Sequence, residues 1–203
     1  VYPGTCRGGL PAGRAPRALR LRVADEQWAF TDAVQGRFAQ CLASEVGDFI
    51  LRRADGLYAY QLAVVVDDAE QGVSHVVRGA DLLDSTPRQL YLQRALGLPA
   101  PAYLHFPVVA DPAGLKLSKQ NQAPALPEDD PVPHLLAAWA CLGQAPFPGT
   151  TPPSLAAFWD WAREHWDAAR IPGVPQVPAP LPASGVLLSP MAGTSGPGGE
   201  TKE

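Results

Sequence analysis

Apolar and basic positions alternate through Leu19-Arg20-Leu21-Arg22-Val23, which predicts a half-buried strand. Trp28-Ala29-Phe30-Thr31-Asp32-Ala33-Val34 repeats the pattern, and Gln35-Gly36-Arg37 makes a turn into another short strand. Phe49-Ile50-Leu51-Arg52-Arg53 is a further strand. Ala54-Asp55-Gly56 predicts a hairpin after it, because Asp-Gly tolerates the positive φ of a tight turn. Residues 57–66 end in a continuous β-branched run, which predicts a strand covered on both faces and closed by Asp67-Asp68. Val73-Ser74-His75-Val76-Val77 is the next strand. Ser85 or Thr86 then caps a helix with Pro87 in its first turn, an apolar face of Leu90, Leu92, Ala95 and Leu96, and Gly97 as its stop. Residues 103–109 form a strand cut by Pro107.

After Asn121 the pattern turns helical. Residues 133–142 predict an apolar helix ended by Gly143. Ser154 caps a second, with Leu155, Phe158, Trp159, Ala162 and Trp166 at helical spacing. Residues 1–18 read as loop, and from Pro172 the chain is rich in Pro, Gly and Ser. Strands mixed with helices imply an α/β fold. The expected organisation is a main unit over 1–122, a helical appendage over 123–175 and a disordered tail over 176–203.

Composition adds bounds. The 203 residues are 46% hydrophobic, enough for a packed core, and the net charge of -4 excludes nucleic-acid binding by bulk charge while leaving room for a local basic groove. No apolar run reaches the roughly 18 residues of a membrane span, and no secretory leader is expected. Cys6, Cys41 and Cys141 are odd in number and far apart, which suits a reducing cytoplasm. A loop that opens on Val1 leads to the expectation that the chain lacks its own beginning.

Candidate chemistry gathers at Leu115-Lys116-Leu117-Ser118-Lys119-Gln120, after the turn Asp111-Pro112-Ala113-Gly114. Two ammonium groups flanking a hydroxyl suit a polyphosphate that gains charge as a bond breaks; a solvated basic loop is the alternative. Arg78, at a strand end, offers a planar fork to a carboxylate or serves as a surface ion-pair residue. Tyr60 offers a hydroxyl or is a core aromatic. Asp67, Asp68 and Asp81 line a site or cap turns. His75 and His105 lack ligand spacing and are expected to be structural. Cys41 and Cys141, in apolar helical contexts, are expected to be inert thiols. Trp159, Trp161 and Trp166 are expected to pack.

Several motifs in order carry a resemblance. They are residues 56–68 (Gly56-Leu57-Tyr58-Ala59-Tyr60-Gln61 through Asp67-Asp68), Gly72-Val73, Val76-Val77-Arg78-Gly79-Ala80-Asp81-Leu82, Lys116-Leu117-Ser118-Lys119-Gln120-Asn121 and Ala123-Pro124-Ala125-Leu126-Pro127. Together they resemble the glutamyl-Q tRNA(Asp) synthetases, short relatives of glutamyl-tRNA synthetase in class I. The resemblance implies part of a Rossmann-type class I catalytic domain with a small helical appendage. It also implies ATP-dependent activation of glutamate and its transfer to queuosine in tRNA(Asp). Lys119 matches the ATP-binding lysine and shares catalysis with Lys116, with Mg²⁺ on the phosphates; Tyr60 and Arg78 match glutamate-binding positions. Tyr2 and Cys6 match the second half of a zinc site, whose C-x-C half, like the H-x-G-H signature, is expected before Val1. Glutamate, ATP and queuosine-bearing tRNA(Asp) are the implied partners of a cytoplasmic monomer with no membrane association. Two alternatives stay open: a truncated glutamyl-tRNA synthetase charging the 3′ end of tRNA(Glu), and a non-catalytic remnant.

Overall fold

The computed structural model describes residues 1–118, 123, 125, 126 and 129–179. Among them the strands pair two by two. β1 (Leu19–Leu21) runs antiparallel to β4 (Phe49–Arg52). β2 (Gln27–Asp32) and β3 (Gly36–Cys41) form a hairpin in register from Gln27↔Cys41 to Asp32↔Gly36. A one-turn helix α1 (Leu42–Glu45) leads from β3 towards β4. β5 (His75–Gly79) continues through a 3-10 helix (Ala80–Ser85) and α3 (Thr86–Leu96) into β6 (Ala102–Phe106), which lies parallel to β5. A parallel pair needs such a crossover, so this is the βαβ unit of the fold. Gly97 ends α3 in the left-handed region at φ 67°. Pro107 interrupts the next strand as expected, separating β6 from β7 (Val108–Ala110).

Residues 57–66 depart from expectation. Tyr58 makes an isolated bridge back to Arg52, the Leu57 O accepts from the Arg53 N–H at 2.8 Å, and Tyr60–Glu70 form helix α2. Leu62 and Val65 pack into the core and Asp67 and Glu70 face water, a helical period that the β-branched run conceals. Burial of one stripe outweighs the small helix penalty of three valines.

The entry to α3 also differs. Its backbone arrives from the 3-10 helix, so neither Ser85 nor Thr86 caps it with its side chain. The face of α3 turned inward is largely polar: Thr86, Gln89 and Gln93 are buried beside Pro87 and Leu92, whereas Ala95 and Leu96 are exposed.

The core joins Val23, Leu42, Phe49, Val65 and Leu92, with Leu21, Trp28, Leu51 and Leu62 packed against it. A second cluster joins α4 (Val132–Cys141) to α5 (Leu155–His165) through Trp139, Phe158, Ala162 and Trp161. Ser154 caps α5, accepting from the Ala157 N–H at 3.2 Å. Trp161 packs against Trp139 at 5.0 Å, while Trp159 and Trp166 are each 47% exposed. Cys141 lies on α4, but Cys41 is the last residue of β3 rather than helical.

The start of the expected tail is ordered. β8 (Gln176–Pro178) lies parallel to β7, and Gln35 Nε2 donates to Val174 O at 3.1 Å. The chain after α5 therefore returns to pair with β7 and meets Gln35 at the end of the β2–β3 turn. Residues 180–203 lie outside the described residues.

Candidate active site

Arg78 is the next-to-last residue of β5, opposite His105 on β6. Its Nε donates to His105 Nε2 at 2.9 Å. Its Nη2 donates to Thr86 Oγ1 at 2.9 Å and Gln89 Oε1 at 2.8 Å, with Leu82 O at 3.4 Å. Nη1 makes no hydrogen bond among the described residues. The planar fork is thus half committed to the protein, and Nη1 is the nitrogen available to an anion.

The partners are themselves held. Gln89 Nε2 donates to Gln61 Oε1 at 2.9 Å, and Gln61 Nε2 donates to Ser85 Oγ at 3.2 Å. Gln61 follows Tyr60, the first residue of α2, whose ring is exposed. One amide chain therefore links the start of α2 to the Arg78 guanidinium.

Behind Arg78 lies a buried pair. His105 Nδ1 donates to Asp32 Oδ2 at 2.6 Å, and neither side chain has exposed surface. Burial alone would push the Asp32 carboxyl up. The N–H groups of Gln35 and Val34, with the ring and N–H of His105, outweigh it and hold the group below the usual aspartate range. For His105 burial dominates and pushes the imidazole below its ordinary value, opposed by Asp32.

The expectation of a structural His105 carried no hint of contact with Arg78. Asp32, Thr86, Gln89 and Gln61 were missed as well. The available signal was the run of polar residues Thr86, Gln89 and Gln93 at i, i+3 and i+7 on one helix.

Residues 115–117 form the return leg of a tight turn. Asp111 Oδ1 accepts from the Ala113 and Leu115 N–H groups at 2.9 and 2.8 Å, and the Leu117 N–H donates to Val109 O at 2.9 Å. Lys116 Nζ reaches Asp81 Oδ2 at 2.6 Å. Asp81 is three positions beyond Arg78, so Arg78 and Lys116 are anchored to the same short stretch. Lys119 lies outside the described residues.

Tyr2 and Cys6 are brought together, the Cys6 N–H donating to the Tyr2 hydroxyl at 2.9 Å. Arg20 covers the Tyr2 ring at 4.0 Å, and Cys6 is exposed. Among the described residues no group of three or more His, Cys, Asp or Glu side chains is placed to hold a metal. The contact runs through the Cys6 backbone N–H rather than its thiol, and a tyrosine and a cysteine would supply two of the usual four zinc ligands. No helix among the described residues is long and apolar enough to cross a membrane.

Comparison with known proteins bears on the family and the fold. The chain is 58% identical over 172 residues to a glutamyl-Q tRNA(Asp) synthetase of Dechloromonas aromatica, covering 85% of this chain and 57% of that one. It is 59% identical over 169 residues to that of Burkholderia cenocepacia, covering 82% and 56%. It thus spans somewhat under three-fifths of the length of these relatives. A glutamate tRNA ligase from Elizabethkingia meningosepticum, solved with its amino acid, shares the fold. Its TM-score is 0.62 at 22% identity, covering 80% of this chain and 36% of that one. The family profile for tRNA synthetases class I (E and Q), catalytic domain, matches residues 11–131, which contain the βαβ unit, Arg78 and the lysine turn. That match takes in more than half of the chain, which therefore belongs to the class I tRNA synthetases (E and Q) through their catalytic domain.

Proposed function

We propose that the protein containing this chain activates glutamate with ATP and transfers it to queuosine in tRNA(Asp). The observation that carries the reading is Arg78, held through Nε and Nη2 with Nη1 left for a carboxylate, in a chain more than half identical to glutamyl-Q tRNA(Asp) synthetases. In this reading Nη1 of Arg78 and the Tyr60 hydroxyl take the glutamate side-chain carboxylate. The α-carboxylate oxygen bonds to the α-phosphorus of ATP as the bond to pyrophosphate breaks. Charge grows on the departing oxygens, where Lys119 and Lys116 stabilise it.

Mg²⁺ comes with ATP in such chemistry. The described residues form no carboxylate cluster built to hold it, so no step is assigned to it. Tyr2 and Cys6 would be two zinc ligands, and zinc there would tie down the loop before β1. The three cysteines are free, in keeping with a cytoplasmic protein, which we take to act as a monomer.

The test is glutamate-dependent ATP–pyrophosphate exchange by the complete protein, followed by transfer of labelled glutamate to queuosine-containing tRNA(Asp) or to tRNA(Glu). Transfer to queuosine is expected. Charging of the tRNA(Glu) 3′ end alone would overturn the reading. Arg78→Ala should raise the glutamate KM by about ten- to a hundredfold, the range for a hydrogen bond between charged groups. Lys119→Ala should lower kcat with little change in glutamate affinity.

A further inference from the structure

An arginine side chain carries donors and no acceptor, so His105 Nε2, 2.9 Å from Arg78 Nε, must present its lone pair. The ring proton then lies on Nδ1 and points to Asp32 Oδ2. Asp32 cannot swing away. Its Oδ1 accepts the N–H groups of Val34, Gln35 and His105 at 3.0, 2.9 and 3.1 Å. A second proton on the ring would set one N–H against another at Arg78.

We propose that Asp32 and His105 are positioning residues for Arg78. They fix the neutral Nδ1–H tautomer of His105, which orients the guanidinium so that Nη1 is left to the glutamate carboxylate. The proposal rests on the reading of Arg78 as a glutamate contact.

Every element packed on the ring contributes to its state. Asp32 faces it from β2 and Arg78 from β5. Asp81 acts from the 3-10 helix, Thr86 Oγ1 lies 3.4 Å from Nε2, and Tyr103 stacks at 6.1 Å. Burial and Arg78 disfavour a second proton, Asp32 and Asp81 favour it, and the balance keeps the ring neutral at pH 7. Glutamate binding should therefore be flat near pH 7 and weaken below the ordinary histidine range.

The experiment uses the complete protein. Nitrogen-15 NMR of the His105 ring at pH 7 should find Nδ1 protonated and Nε2 bare; a proton on Nε2 overturns the proposal. His105→Leu should raise the glutamate KM about tenfold or more with the ATP KM unchanged. His105→Gln, whose amide oxygen can accept the Arg78 Nε–H, should recover most of the loss. If Arg78→Ala raises the glutamate KM and His105→Leu does not, the positioning role alone falls. If Arg78→Ala has no effect, the glutamate reading falls and the proposal with it. Should His105→Leu fail to fold, the wild-type ring decides. A glutamate KM unchanged while NMR shows the ring taking its second proton overturns the proposal, and a rise that follows that protonation supports it.

Discussion

Asp48→Asn tests how the loop that carries Tyr2 and Cys6 is held. Arg7 donates to Asp48 from Nε to Oδ2 at 2.7 Å and from Nη2 to Oδ1 at 2.5 Å. The Val23 N–H adds a bond to Oδ1 at 3.0 Å. Tyr2 lies over Gly47, where a Cβ would sit 2.6 Å from Tyr2 O, and the Tyr2 N–H donates to Val46 O at 3.2 Å. Hydrogen bonding from Arg7 is the chief cause that lowers the Asp48 carboxyl from 3.8 to about 2, against burial and with help from the Val23 N–H. At 1.36 kcal/mol per tenfold, that corresponds to about 2.4 kcal/mol. The Arg7 side chain is 38% exposed, so solvent screening brings the expected contribution to about 1–2 kcal/mol.

The sign follows from a folded pKa below the unfolded one. The stabilisation is fully present above pH 3.8 and is lost as pH falls through about 2. Hydrogen exchange at the Tyr2 and Val23 amides reads the local opening. Asp48→Asn should speed it by about five- to thirtyfold at pH 6, the factor for 1–2 kcal/mol. Equal exchange in mutant and wild type at pH 6 would refute the reasoning, as would a difference that persists undiminished at pH 2.

Two further outcomes follow from the geometry. In Gly79→Ala the new Cβ would lie 2.5 Å from Asp81 Oδ1 and 3.1 Å from Val108 Cγ1, so Asp81 must move away from Lys116. Because an exposed ion pair contributes up to about 1 kcal/mol, pyrophosphate exchange should slow by about two- to fivefold with the circular dichroism unchanged; an unchanged rate would discount the Asp81 anchor. Burial pushes the Cys141 thiol up, so iodoacetamide should label exposed Cys6 first and reach Cys141 at higher pH; equal rates at pH 8 would contradict that burial.

Much of the fold could be read along the chain. Alternation at residues 19–23 and 28–34, the Asp-Gly turn at Asp55-Gly56, the break at Pro107 and the stops at Gly97 and Gly143 all appear near where they were expected. These features depend on neighbours a few residues apart, because side-chain period and turn φ are local properties. The ordered motifs also marked the family before any contact was known, since motif order along the chain is legible without a fold, whereas Lys-Leu-Ser-Lys by itself reads equally as a solvated basic loop.

Tertiary structure decided the rest. Valine-rich residues 57–66 read as a buried strand, yet the packing of Leu62 and Val65 into the cluster with Leu92 and Phe49 makes everything from Tyr60 onward part of α2. Gln176–Pro178 carried no periodicity and became a strand only because β7 offers a free edge. The site shows the limit most plainly. Arg78 stood out only through the family resemblance, and what holds it comes from positions 32, 86, 89 and 105, on three other elements. Local propensity determines which elements form. Holding a half-buried guanidinium by hydrogen bonds is a long-range condition, met only when those elements are packed together.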